Sequence, residues 1–65
     1  MGKYTLVGVD GNAYAIMGYV SRAMRHEHKS KTEIDTYLRD ATSSDYTHLL
    51  AVSFDMCEEL NINKI

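Results

Sequence analysis

A single cysteine, Cys57, in a chain of 65 residues is the tightest constraint on what this sequence can become. One thiol cannot close an intramolecular disulfide, so the fold carries no covalent staple and rests on packing alone. A chain this short buries only about 60% of the surface it exposes when unfolded, which leaves room for one small domain over residues 1–65 with a marginal core. Such cores are often completed by a second copy, so a homodimer is an open expectation. The lack of a disulfide framework points to a reducing, cytoplasmic setting. Met1-Gly2-Lys3-Tyr4 runs into a short β-like stretch and then Asp10, which suits neither a signal peptide nor a membrane span.

Seven Lys and Arg against nine Asp and Glu leave a formal charge of -2, which supplies no global attraction to nucleic acid or anionic lipid. The charges are polarised along the chain. Arg22, Arg25, Lys29 and Lys31 cluster around His26 and His28, whereas Asp45, Asp55, Glu58 and Glu59 make the C-terminal part acidic. The basic run reads either as the solvated end of a helix or as a partner-binding patch.

The hydrophobic pattern predicts an α+β fold in which three helices pack on a two-stranded sheet formed by the chain termini, in the order β-α-α-α-β. Lys3 to Val9 is rich in β-branched and aromatic residues and stops at the turn Asp10-Gly11-Asn12, so it reads as a strand. Ala13, Ile16, Met17, Val20 and Met24 then recur at helical spacing, with Asn12 as N-cap. Ser30-Lys31-Thr32-Glu33 matches a capping box and starts a second helix with the stripe Ile34, Leu38 and Ala41. Thr42 to Asp45 separates it from a third helix over about Tyr46 to Glu58, with Tyr46, Leu49, Leu50, Ser53, Phe54 and Cys57 sharing a face. Leu60-Asn61-Ile62-Asn63 alternates apolar and polar, the period of a half-buried strand. Edge pairing of such a small sheet would be one route to the dimer.

No catalytic or metal signature is present. His26, His28, His48 and Cys57 match no zinc spacing, Cys57 falls on an apolar helix face, and Ser43 and Ser44 are accounted for by capping, so no catalytic residue, metal or cofactor is assigned. The glycine-containing turn at Asp10, Gly11 and Asn12 leads from a strand into a helix N-terminus, whose free amides suit an anion. A purely structural turn with positive φ at Gly11 is the competing explanation. If the Ser43, Ser44, Asp45 loop lies beside it, the two form a small polar ligand site bordered by Tyr14, Tyr46 and His48. Five tyrosines in a chain with one phenylalanine and no tryptophan suggest that some serve association, and Tyr19 and Tyr37 are assigned with Arg22 and Arg25 to a partner surface.

Val9-Asp10-Gly11-Asn12-Ala13-Tyr14-Ala15-Ile16-Met17-Gly18, with Glu33-Ile34-Asp35 and with Ala41-Thr42-Ser43-Ser44-Asp45-Tyr46 followed by Leu49-Leu50, resembles a group of short uncharacterised proteins of bacteria and their phages. The likeness covers nearly the whole chain and departs at Ser44 and over Met56-Cys57-Glu58. It implies a shared fold and no activity. By analogy, a phage association favours an inhibitor that occupies a host protein, such as a bacterial defence protein. The leading expectation is therefore a protein-interaction module with a bacterial host partner. The alternative is a sponge-like oligomeric module for a small ligand or nucleotide, and an enzyme ranks third.

Overall fold

The computed structural model describes residues 3–62 and contains three helices: α1 (Ala13–His26), α2 (Lys31–Ala41) and α3 (Tyr46–Ile62). Each helix starts where its sequence offers a cap. Asn12 Oδ1 accepts the Tyr14 N–H at 2.8 Å, and Asp45 Oδ1 accepts the His48 N–H at 3.0 Å. Between them, Ser30 and Glu33 form the full capping box: Ser30 Oγ accepts the Glu33 N–H at 3.1 Å and a Glu33 carboxylate oxygen accepts the Ser30 N–H at 2.9 Å.

That box makes a prediction. The Ser30 backbone N–H, donated to the Glu33 carboxylate, holds its pKa below the ordinary 4.5. A carboxyl depressed in the fold stabilises above its unfolded pKa and loses that contribution as pH falls through its folded pKa. Ser30→Ala is expected to cost about 1 kcal/mol. Glu33→Gln should be less stable than the parent near pH 7, with the gap closing in acid as pH falls through the lowered carboxyl pKa. Urea denaturation of both variants near pH 7 and in acid checks this.

Helix α1 ends in a Schellman turn, in which the His28 N–H bonds to the Arg25 carbonyl at 3.0 Å and the Lys29 N–H to the Met24 carbonyl at 2.9 Å. The turn requires a left-handed residue, and His28 supplies it at φ 66° where glycine is usual.

The three helices touch pairwise around a core of Ile16, Val20, Met24, Ile34, Leu49 and Leu60, with Tyr37, Ala23, Ala41 and Cys57 among them. Met24, Val20, Leu60 and Ser53 are the largest side chains with essentially no exposure. Ser53, a polar group at the centre of α3, is satisfied by the Tyr37 hydroxyl at 2.7 Å.

The expected β-α-α-α-β sheet is not formed: the protein is all-α, and there is no strand among the described residues. A two-stranded sheet needs both partners, and the C-terminal one is absent because α3 continues through Ile62. Leu60 extends the buried Leu49, Ser53, Cys57 series at helical spacing, which outweighs the short alternation of Leu60 to Ile62. Asn63, the last residue of that expected strand, lies outside the described residues. The β-rich residues 3–9 form an irregular strap over the helices, and among the described residues the glycine with positive φ is Gly8, at 86°, not Gly11. Tyr4, Leu6 and Val9 still pack on the core.

One side chain does the work of the missing strand. The Asn61 amide receives the Tyr4 N–H at 2.8 Å and donates to the Tyr4 carbonyl at 2.8 Å, so both backbone groups of one strap residue are paired. The Tyr19 hydroxyl accepts the Thr5 N–H at 3.0 Å. At the far end, the Tyr4 hydroxyl donates to the Glu27 carboxylate and lies 2.8 Å from His26 Nδ1; partial burial and the Glu27 charge push its pKa up to about 12.

Candidate functional site

The two loops singled out in the sequence meet in space. Asn12 opens α1 and Asp45 opens α3, and the pairwise packing of the helices places both N-termini at the same end of the bundle. The Tyr46 hydroxyl, on the first turn of α3, donates to the Gly11 carbonyl and joins them. Between them lies a cleft of about 310 Å³. Its floor is Ala13, Met17, Ala41 and Leu49, and it is flanked by Tyr14 and Tyr46, which are 82% and 45% exposed. Ser44 and Asp45 stand at its rim.

Of the proposed ligand residues, Tyr14, Ser44, Asp45 and Tyr46 line this cleft, whereas Asp10, Gly11, Asn12, Ser43 and His48 lie in the adjoining turns outside its lining. The floor residues were not proposed as a site, although the i, i+4 spacing of Ala13 and Met17 at the start of α1 carries the signal.

The arrangement favours apolar over anionic occupants. Side-chain caps already occupy one first-turn amide at each helix start, Tyr14 N–H on Asn12 and His48 N–H on Asp45, and Asp10 accepts the Asn12 N–H at 3.1 Å. Among the described residues no Lys, Arg or His lines the cleft, and Asp45 places a carboxylate at its edge.

Ser43, His48 and Asp40 lie together but cannot act as a catalytic triad. His48 Nε2 is 3.1 Å from Asp40 Oδ1, 3.0 Å from the Asp40 carbonyl and 3.4 Å from Ser43 Oγ, so all three contacts crowd one ring nitrogen. A relay needs the acid and the nucleophile on opposite nitrogens. The Ser43 hydroxyl itself donates to the Asp40 carbonyl at 2.7 Å. The cluster closes the α2–α3 loop. Cys57 is buried, and burial pushes its thiol pKa up, away from the thiolate that a nucleophile requires. Among the described residues, no three His, Cys, Asp or Glu side chains gather as a metal site, and no helix is long and apolar enough to cross a membrane.

The partner surface assigned from the sequence needs correction. Tyr37 is only 3% exposed and bonded to Ser53, because it sits one turn from both Ile34 and Ala41 on the packed face of α2. Tyr19 is half-buried and holds the strap. Arg22 and Arg25 are exposed, and neither has an ion-pair partner among the described residues.

No family model matches the chain, and no curated protein or solved structure matches it either.

Proposed function

We propose that the chain is a protein-interaction module that docks a partner protein in the cleft between Tyr14 and Tyr46. The observation that carries this is Tyr14: a tyrosine 82% exposed at the mouth of an apolar-floored cleft. Rigid aromatic groups of this kind supply large contact area at low entropic cost and are enriched where proteins meet. The complementary partner presents an apolar side chain to Met17 and Leu49 and a basic group to Asp45. The sequence resemblance suggests a bacterial host protein, which the module would inhibit by occupation. The small-ligand or nucleotide alternative has less support, because the cleft sits at the small end of ligand sites, has no Lys, Arg or His among its described lining residues and carries the Asp45 carboxylate at its edge.

Native mass spectrometry of the protein isolated from its host cytoplasm tests the proposal. A heteromeric complex is expected. Tyr14→Ala, which removes no intramolecular hydrogen bond of the tyrosine side chain, should weaken it at least about thirtyfold, the scale of an interface hot spot. Tyr46→Phe keeps the ring and should retain binding. A mass excess of a few hundred daltons per subunit with no partner protein would transfer the cleft to the small-ligand function, and a partner held equally well by Tyr14→Ala would remove the cleft from the interface.

A further inference from the structure

The outer face of α3 has no counterpart on α1 or α2. Ala51, Phe54, Asp55, Glu58 and Ile62 are all exposed and fall on one face at steps of three and four, with Phe54 52% and Ile62 67% exposed. A helix that carries apolar side chains on both faces is expected to be covered on both. This face is also acidic: α3 contains no Lys or Arg, and neither Asp55 nor Glu58 has an ion-pair partner among the described residues.

A matching surface lies on the other side of the same molecule. Between the end of α1 and the start of α2 runs a groove of about 430 Å³ with Ile34 and Leu38 at its base and Arg25, Lys29, Lys31 and Asp35 along its edges. Lys29 is engaged by Glu59 at 3.0 Å and Lys31 by Asp35 at 3.0 Å, which leaves Arg25, beside the equally unpaired Arg22, as the charge open to a partner.

We propose that the α3 face of one copy docks in the α1–α2 groove of the next, with Phe54 over Ile34 and Leu38 and with Asp55 and Glu58 against Arg25 and Arg22. Both surfaces are on this chain and complement each other in hydrophobicity and in sign of charge, which selects a second copy as the occupant. Ala51, Phe54, Asp55 and Glu58 lie on the side of α3 opposite its buried Leu49, Ser53 and Cys57, so this face points away from the α1–α2 pair whose outer side carries the groove. The contact is therefore head-to-tail, and it generates a ring or an open chain in place of a two-fold dimer. The inference is independent of the Tyr14 cleft.

Sedimentation velocity over about 10 μM to about 1 mM tests it, the range in which a modest interface assembles. The mass should rise past that of a dimer with concentration and fall with added salt. Arg25→Glu, which blocks the groove, and Glu58→Arg with Phe54→Ser, which blocks the face, should each leave a monomer whose circular dichroism matches the parent. Mixed together, the two should form a 1:1 complex and nothing larger, since each contributes its one intact surface. A parent that stays monomeric to about 1 mM, assembly that stops at a dimer, or two blocked variants that fail to pair would each overturn the proposal.

Discussion

Truncation of Met24 to alanine is expected to cost about 3 kcal/mol, within the range for deleting a large aliphatic side chain from a closed core. Met24 has no exposure and lies on α1 where all three helices meet. A domain of this size has a total stability of roughly 3–10 kcal/mol, so the variant should be close to unfolding at ambient temperature. Thermal and urea melts followed by circular dichroism measure the loss. Phe54→Ala, on an α3 residue that is 52% exposed, provides the contrast and should cost no more than about 1 kcal/mol. Equal losses for the two would mean that the core is elsewhere or that the site around Met24 collapses to refill the space.

The second large effect concerns the polar centre of the core. Tyr37→Phe strands the Ser53 hydroxyl, which has no exposure, and Ser53→Ala strands the Tyr37 hydroxyl; each should cost about 1–3 kcal/mol as an unmet buried group. With both removed, no polar atom is orphaned, so the double variant should be more stable than the sum of the single losses predicts. A double-mutant cycle in urea reports the coupling directly, and strict additivity would show that the two hydroxyls are hydrated independently. The same burial pushes the Tyr37 pKa above the ordinary 10.0. A group raised in the fold stabilises below its unfolded pKa and loses that contribution as pH rises through its folded one. The parent should therefore weaken above pH 10 more than Tyr37→Phe does.

Helices were legible in the sequence wherever a cap and a period agreed. Asn12 and the Ser30–Glu33 box begin α1 and α2 in the structure, and Asp45 opens α3 at the boundary drawn before Tyr46. Strands were misread for two distinct reasons. Residues 3–9 have the composition of a strand, but extended backbone is stable only with a ladder partner, and no local pattern reveals that the partner is a single asparagine side chain. The tail was too short to separate a period of two from a period of 3.6, and the deciding fact, that Leu60 continues the series of Ser53 and Cys57, depends on how far α3 extends.

Site residues followed the same logic. The junction of the two loops depends on where the helices place their N-termini, so the sequence could pose it only as a condition. Tyr37 was drawn to the surface by its polar tip, whereas its position one turn after Ile34 assigns it to the core and Ser53 removes the objection. Phe54 shows the reverse. Its neighbour Ser53 takes the central position on α3, and a large aromatic is left outside.

The paired hydrogen bonds between Tyr4 and Asn61 span 57 positions of sequence. On a ribosome, the strap cannot find its clasp until the last turn of α3 has left the exit tunnel, whereas α1 and α2 can zip together from neighbouring residues well before that. Closure of the strap onto α3 therefore waits until synthesis has passed Asn61, whereas its bonds to Tyr19, His26 and Glu27 lie on α1 and its C-cap and can form earlier.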